Sequence, residues 1–147
     1  MAVELTANAV QTVQYGQNVL FTDTPVRCNK GYVVHRDGSG IVTLRGITCG
    51  NCFARYQVTF GGNIAAVGAV EPISLAIAID GEPITSTTMT ITPAAVGEFF
   101  NVGRTTFVDV PRGCCVTIAV ENVSITDTGT PVPIEVENAN LVIERVA

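Results

Sequence analysis

Ile73-Ser74-Leu75-Ala76-Ile77-Ala78-Ile79-Asp80-Gly81-Glu82-Pro83 decides the architecture of this chain. Large aliphatic residues at 73, 75, 77 and 79 alternate with Ser74, Ala76 and Ala78, the period of two that puts one set of side chains on each face of a β-strand. Asp80-Gly81-Glu82-Pro83 then marks a chain reversal. Thr105-Thr106-Phe107-Val108-Asp109-Val110 followed by Pro111-Arg112-Gly113 repeats the pattern further along. The face of Ser74, Ala76 and Ala78 is small enough to let another surface approach closely.

Working outward, Val, Ile and Thr recur throughout, and no window holds apolar residues at helical spacing. The chain reads as almost wholly β. Strands are expected over 18–23, 32–36, 41–47, 53–61, 73–80, 82–92, 104–110, 114–122 and 134–146, with a turn at Asp37-Gly38-Ser39-Gly40 and a bulge at Asn138-Ala139-Asn140. In 53–61, Ala54, Tyr56, Val58 and Phe60 share one face, and Phe53, Arg55, Gln57 and Thr59 the other. Short connections (48–52, 80–83, 111–113) alternate with long ones (63–71, 93–103, 123–133). Strands that run up and down therefore leave one tight end and one loop-rich end. The expected fold is a jelly-roll β-sandwich of two antiparallel sheets.

At 147 residues the chain fits one domain. Residues 1–17, rich in Gln, read as an N-terminal lead-in and attachment segment, and 18–147 as the jelly-roll domain. Hydrophobic residues make up 47% and charged residues only 14%, against about 25% charged in an average soluble chain. No apolar run approaches the length of a membrane span, so no membrane partner is expected and the surplus is assigned to a subunit interface. Eight basic against thirteen acidic residues give a net charge of −5, and no stretch of sequence clusters the basic ones. Nucleic acid is not an expected partner. The first residues lack the features of a secretory signal, which points to synthesis in the cytoplasm without a signal peptide.

Arg55-Tyr56-Gln57-Val58-Thr59-Phe60, the 73–84 segment, the Asp109-Val110-Pro111-Arg112-Gly113 turn and the closing Asn138-Ala139-Asn140-Leu141-Val142-Ile143 resemble the tumour-necrosis-factor-like (TNF-like) jelly roll. They resemble most closely its bacterial and bacteriophage branch, found as caps of collagen-like spore-surface filaments and in phage head-fibre and decoration proteins. The resemblance spans 17–147 and implies a homotrimer. Phe107, on the side opposite the core-directed Val108 and Val110, and the small residues Ala76 and Ala78 are then candidates for the trimer interface. No Gly-X-Y tract is present, so the chain carries no collagen stalk of its own. A bacteriophage virion surface therefore fits better than a spore filament.

Candidate chemistry is sparse. Cys49-Gly50-Asn51-Cys52 lies in one short connection and Cys114-Cys115 beside another, at the same end of the sandwich. These cysteines are either free thiols, a disulfide between the two connections, or a zinc site. Zinc ranks last, because vicinal cysteines do not easily both reach one tetrahedral ion. Cys28 is the odd one out. His35, the single histidine, reads as a surface or interface residue, since no nucleophile motif accompanies it. Glu135 and Glu137 share a face of the last strand and read as neighbour-repelling charges on an edge. Asp127 stands alone in its loop, too little for calcium. Gly61-Gly62 and Gly38-Ser39-Gly40 read as turn glycines.

No catalytic residue, cofactor site or enzyme activity is expected. The reading is a non-enzymatic structural protein, a trimeric decoration or fibre-tip module of a bacteriophage virion that contacts a capsid or fibre protein through the N-terminal segment. A bacterial spore-surface or cell-surface module is the alternative, as is a receptor-binding domain of the same fold that grips a host glycan or protein with its long loops. The expected location is a virion surface or bacterial exterior.

Overall fold

Fourteen residues of alternating burial, Phe53–Ala66, form the longest strand of the computed structural model, which describes residues 2–27, 30–50 and 52–147. Ala54, Tyr56, Val58 and Phe60 are buried as the alternation requires, while Arg55, Gln57 and Thr59 face outward. In chain order the strands are β1 (Ala2–Ala7), β2 (Gln11–Val13), β3 (Asp23–Val26), β4 (Val33–His35), β5 (Val42–Arg45), β6 (Phe53–Ala66), β7 (Ile73–Ile79), β8 (Glu82–Pro83), β9 (Met89–Ile91), β10 (Phe100–Pro111), β11 (Cys115–Asn122) and β12 (Ile134–Arg145). A single 3-10 turn, Thr85–Thr87, separates β8 from β9.

All pairings are antiparallel. The first sheet runs β10-β6-β12-β1-β3, with β2 also on β12; the second runs β4-β5-β11-β7-β8, with β9 also on β7. Tyr56, Phe21, Phe60, Leu44, Ile77 and Leu141 are among the buried side chains that fill the space between them. Full burial of one such aliphatic or aromatic side chain stabilises by about 1.5–3 kcal/mol. Among the described residues, no helix is long and apolar enough to cross a membrane.

The N-terminal boundary differs from expectation. Residues 2–7 are not a lead-in but a strand held between β12 and β3, with Val3, Leu5 and Ala7 buried. Their short alternation, Ala2-Val3-Glu4-Leu5-Thr6-Ala7, matches the sandwich core, and the glutamines that follow belong to β2 and its turn. Residues 18–22 in turn form no regular strand. Val19 N–H bonds Val120 C=O at 2.8 Å, and the Gln11 amide accepts from Leu20 N–H (2.8 Å) and donates to Leu20 C=O (2.9 Å), standing in for a ladder.

Gly61-Gly62 also departs from the turn expected of it, lying inside β6. A Cβ on Gly62 would press on the Phe60 ring at 3.0 Å and make ordinary contact with Ala139 at 3.5 Å, so the glycine leaves room chiefly for the ring. The bulge in the last strand is where it was expected. The β12 register shifts between Glu137 and Asn140, and Asn138 takes a φ of 50°. At the 80–81 turn, Asp80 (φ 51°) and Gly81 (φ 85°) are both left-handed, the two-residue geometry that matches strand twist. Asp80 Oδ1 then accepts from Thr117 N–H (2.9 Å) and Thr117 Oγ1 (3.2 Å), fastening the hairpin to β11.

Buried polar groups replace missing ladder bonds. Between β8 and β9 the edge of β7 lacks a strand partner at Ile77, and Thr87 Oγ1 accepts from Ile77 N–H at 2.9 Å while donating to Ile84 C=O at 2.7 Å. Asn122 Nδ2 donates to Val13 C=O and Val132 C=O, both at 2.9 Å, and its Oδ1 accepts from Ser124 N–H at 2.8 Å. No buried side-chain polar atom lacks a partner among the described residues.

Three outcomes follow from this packing. Deleting residues 1–7 should abolish cooperative thermal unfolding, because it opens β12 and β3 and removes Val3, Leu5 and Ala7; a truncated chain that melts like the full one would show β1 to be dispensable. Asn122→Leu strands two carbonyls and one N–H, each costing about 1–3 kcal/mol when left unpaired in the interior, and urea denaturation should register the loss. Glu121, on the outward face of β11, has its carboxyl pushed above the ordinary glutamate range, by burial first and by the Glu82 carboxylate second. The folded state then holds this proton more tightly than the unfolded state, so ionisation costs stability above the folded value, and the cost vanishes as pH falls to the unfolded value. Glu121→Gln should melt higher than the parent at neutral pH, with the gap closing as the pH enters the carboxyl range; equal melting at neutral pH would show that Glu121 carries no such penalty.

Candidate assembly interface

Pairing β10 with β6 fixes what the outward face of the first sheet presents. Thr105 lies opposite Thr59, Gly103 opposite Gly61, Asn101 opposite Asn63, Asp109 opposite Arg55 and Phe107 opposite Gln57. The Thr59 and Thr105 hydroxyls bond at 3.1 Å, and Asn101 Nδ2 donates to Asn63 Oδ1 at 3.2 Å. Arg55 grips Asp109 with two bonds, Nε to Oδ1 at 2.8 Å and Nη2 to Oδ2 at 3.1 Å. That grip holds the Asp109 carboxyl below its usual range, and the Arg55 guanidinium is raised in turn. The one charge pair facing outward from these two strands is thus self-neutralised, leaving a face of hydroxyls, amides and glycines.

Phe107 projects from it. The side chain is 59% exposed while Val108 and Val110 are buried, so its expected orientation holds. Ala76 and Ala78 do not stand beside it. They lie on the outward face of the second sheet opposite Glu121 and Ala119, only 0% and 1% exposed. β7 is flanked on both sides, and a methyl group there is covered within the chain, with no surface left for another protomer. The small-residue pattern identified their face but not their exposure.

The tight end gathers the cysteines as the strand order requires. Arg112 N–H bonds Cys52 C=O (2.9 Å), Gly46 N–H bonds Cys114 C=O (2.9 Å), and Cys115 lies opposite Arg45. Gly46 is obligatory at this junction, since a Cβ there would fall on the Pro111 carbonyl. Cys49, Cys52, Cys114 and Cys115 are free and exposed. Among the described residues no three His, Cys, Asp or Glu side chains are grouped to hold a metal ion. Cys28 lies outside the described residues.

Other candidates are structural. His35 is not a surface residue: its side chain is 2% exposed, with Nε2 2.9 Å from Ser39 C=O, Nδ1 3.4 Å from Thr24 Oγ1, and the ring edge-on to Phe21. Glu135 and Glu137 sit on an interior strand, since β12 is paired on both sides there, so they guard no edge. At the loop-rich end Glu71, Thr126, Asp127, Thr128 and Thr130 line a recess of about 390 Å³. Lys30, Arg45, Arg112 and Arg145 reach the tight end from four separate segments, where Asp80, Glu82 and Glu144 stand as well, so the end carries charges of both signs that no local run in the sequence announces.

No protein-family model matches the chain, and no curated protein matches it. Solved structures do. The globular domain of zebrafish complement 1qA protein aligns over 99% of this chain and 97% of its own, with a TM-score of 0.67 and 13% identity. Eiger TNF from S. frugiperda aligns over 100% and 92%, with a TM-score of 0.68 and 10% identity. Murine APRIL at pH 5.0 aligns over 92% and 97%, with a TM-score of 0.56 and 12% identity. At such identities the likeness is one of fold, and that fold is the TNF-like jelly roll.

Proposed function

We propose that this chain is a non-enzymatic assembly module that works as a homotrimer on an exposed biological surface. The observation that carries the reading is the outward face of β10 and β6: long, free of unbalanced charge, and bearing Phe107 as its most exposed large apolar residue. Such a face is stabilised when another protomer covers it, and a closed ring of three lets each copy offer one surface and receive another. The finer setting, a bacteriophage decoration or fibre-tip module with a bacterial spore or cell surface second, rests on the resemblance carried by the 55–60, 73–84, 109–113 and 138–143 segments. A capsid or fibre protein as attachment partner rests on the same resemblance, with 2–13 taken up by the sheet rather than left as a free arm.

A receptor-binding role draws support from the recess of Glu71, Asp127 and three threonines, hydroxyl and carboxylate groups of the kind that hold sugar hydroxyls. A glycan array comparing the parent with Asp127→Ala addresses it; no retained glycan removes the reading.

Light scattering at micromolar concentration should return three times the chain mass. Phe107→Glu, at a position too exposed to disturb the core, should lower that mass to one chain while leaving the circular dichroism spectrum intact. A monomeric parent overturns the trimer; an unchanged trimer in the variant removes Phe107 from its interface.

A further inference from the structure

β11 changes partner along one of its edges. β5 serves that edge from Arg45 opposite Cys115 to Val42 opposite Ile118. Beyond it the 17–19 segment takes over: Val19 N–H bonds Val120 C=O at 2.8 Å, Asn122 N–H bonds Gln17 C=O at 3.0 Å, and Asn18 is bridged to Glu121. The handover falls at Ala119, where the chain leaves the sheet after Val19 and returns at Ile41. Val19, Val42, Ile118 and Val120 are buried, so alternation leaves Asn18, Leu20, Ile41 and Glu121 on the outward side. A groove opens along this junction. One recess of about 530 Å³, itself the size of a small-molecule site, is lined by residues that include Thr12, Gln17 and Leu20. A second, of about 290 Å³, reaches Thr117 and Glu121, and the two share Asn18 and Ile41.

The groove is held in shape from within the chain. Both bonds of the Gln11 amide go to the Leu20 backbone. A Cβ on Gly40 would fall 2.8 Å from Asn18 Cβ and 2.8 Å from the Val19 carbonyl oxygen, so glycine lets the returning chain pass this close. Three polar side chains are left uncommitted. The half-buried Asn18 amide has no hydrogen-bond partner among the described residues. The Gln17 amide accepts one bond of 3.4 Å from Gln14 N–H and keeps its own N–H groups free. The half-buried Glu121 carboxylate enters no hydrogen bond or ion pair among the described residues. Leu20 and Ile41, 47% and 50% exposed, add aliphatic surface. No basic and no aromatic side chain lines either recess. Arg36 opens the turn that carries Ser39 without lining the groove, while Glu82 acts on Glu121 and Asp80 is held by Thr117 alongside.

Such a lining selects its ligand by exclusion and by match. Phosphate, sulfate and carboxylate groups would meet Glu121 with no lining cation to balance them, and a nucleobase would find no ring to stack on. An extended peptide would need an open strand edge for its main chain, and β11 is paired on both sides here. Sugar hydroxyls both donate and accept, as the amides of Gln17 and Asn18 do, and a carboxylate accepts from neighbouring hydroxyls. We propose that this groove is a binding site for an uncharged saccharide, with Asn18 and Glu121 holding its hydroxyls and Leu20 and Ile41 covering the C–H side of the ring. Its walls come from 11–20, 39–41 and 117–121, so no local motif announces it. The groove lies on the outward face of the second sheet, whereas the proposed trimer covers the first. Each copy in such a ring keeps its groove open, and weak binding at one site is multiplied when several engage one glycan surface. The site is separate from the recess at Asp127, and either can fail without the other.

The test is heteronuclear NMR of the full chain titrated with glucose, galactose, mannose and N-acetylglucosamine, each to about 10 mM, enough to fill most of a site of millimolar affinity. At least one sugar should shift the side-chain amide signals of Asn18 and Gln17 together with the backbone signal of Gly40. Asn18→Ala and Glu121→Ala, both at partly exposed positions, should each weaken binding of that sugar by about tenfold through lost hydrogen bonds, while Asp127→Ala binds it like the parent. Glucuronic acid should bind more weakly than glucose. Signals that stay fixed with all four sugars overturn the inference, as do folded Asn18→Ala and Glu121→Ala chains that bind like the parent. Shifts confined to residues 126–130 and lost in Asp127→Ala overturn it in favour of the loop-end recess. Tighter binding of glucuronic acid than of glucose overturns the assignment to uncharged sugars.

Discussion

The placement of β12 is the constraint on which the rest of the structure depends. Along one edge it pairs with β6 from Ile134 to Arg145; along the other it serves β2 first and β1 second. The bulge at Asn138 and Ala139 falls where β12 passes from its pairing with β2 to its pairing with β1. Its consequences spread outward. Gly62 packs against the bulge, Ala7 lies opposite Ala139, and Ile134, Val136, Leu141 and Ile143 are delivered to the core on both sides of it. Because β12 and its partners lie far apart in sequence, the first sheet closes only after long loops have been ordered, which places folding of such topologies on the millisecond-to-second scale.

Side chains complete the sheets where strands fall short, and they fix the roots of the long loops. Ser124 Oγ accepts from Ser74 N–H at 2.7 Å and donates to Ser74 C=O at 3.1 Å, while Asn122 ties the same loop back to Val132 and across to Val13. Beyond those anchors, Thr126 and Thr130 close a small turn by their own backbone and hydroxyl bonds. The loop therefore has a rigid base and an exposed tip. A tip so held can change its residues without cost to the core, the arrangement that lets a scaffold carry a binding surface.

Legibility in the sequence tracked how local each determinant is. The alternation in 53–60 and 73–79 and the Asp80-Gly81 turn are properties of adjacent residues, and the structure has them where they were read. The β12 bulge was legible for the same reason. Ala2–Ala7 alternates just as clearly, yet six residues leading into a glutamine-rich stretch give no internal sign of the strands on either side that make them core. Gly61-Gly62 looks like a turn in one dimension, because the strands that pair with it there, β10 and β12, are far away in sequence. Ala76 and Ala78 show that periodicity assigns a face while exposure depends on what the rest of the chain lays against that face. His35 was misplaced for the same reason, its burial being set by Phe21, Thr24 and Ser39.

The charges at the tight end show the same dependence on contacts distant in sequence. Arg112 lies in the 111–113 turn and Arg45 in the strand that leads to the cysteine-bearing connection, so the expected sharing of one end by those connections already implied that their charges meet. Lys30 and Arg145 join them only through β4 and β12. With 14% charged residues the chain has few charges to distribute; the tight end mixes its cations with Asp80, Glu82 and Glu144, and the Arg55–Asp109 pair on the outward face of β6 and β10 is neutralised. With Arg55 and Asp109 neutralising each other, a partner of the β10 and β6 face is selected by shape and apolar contact.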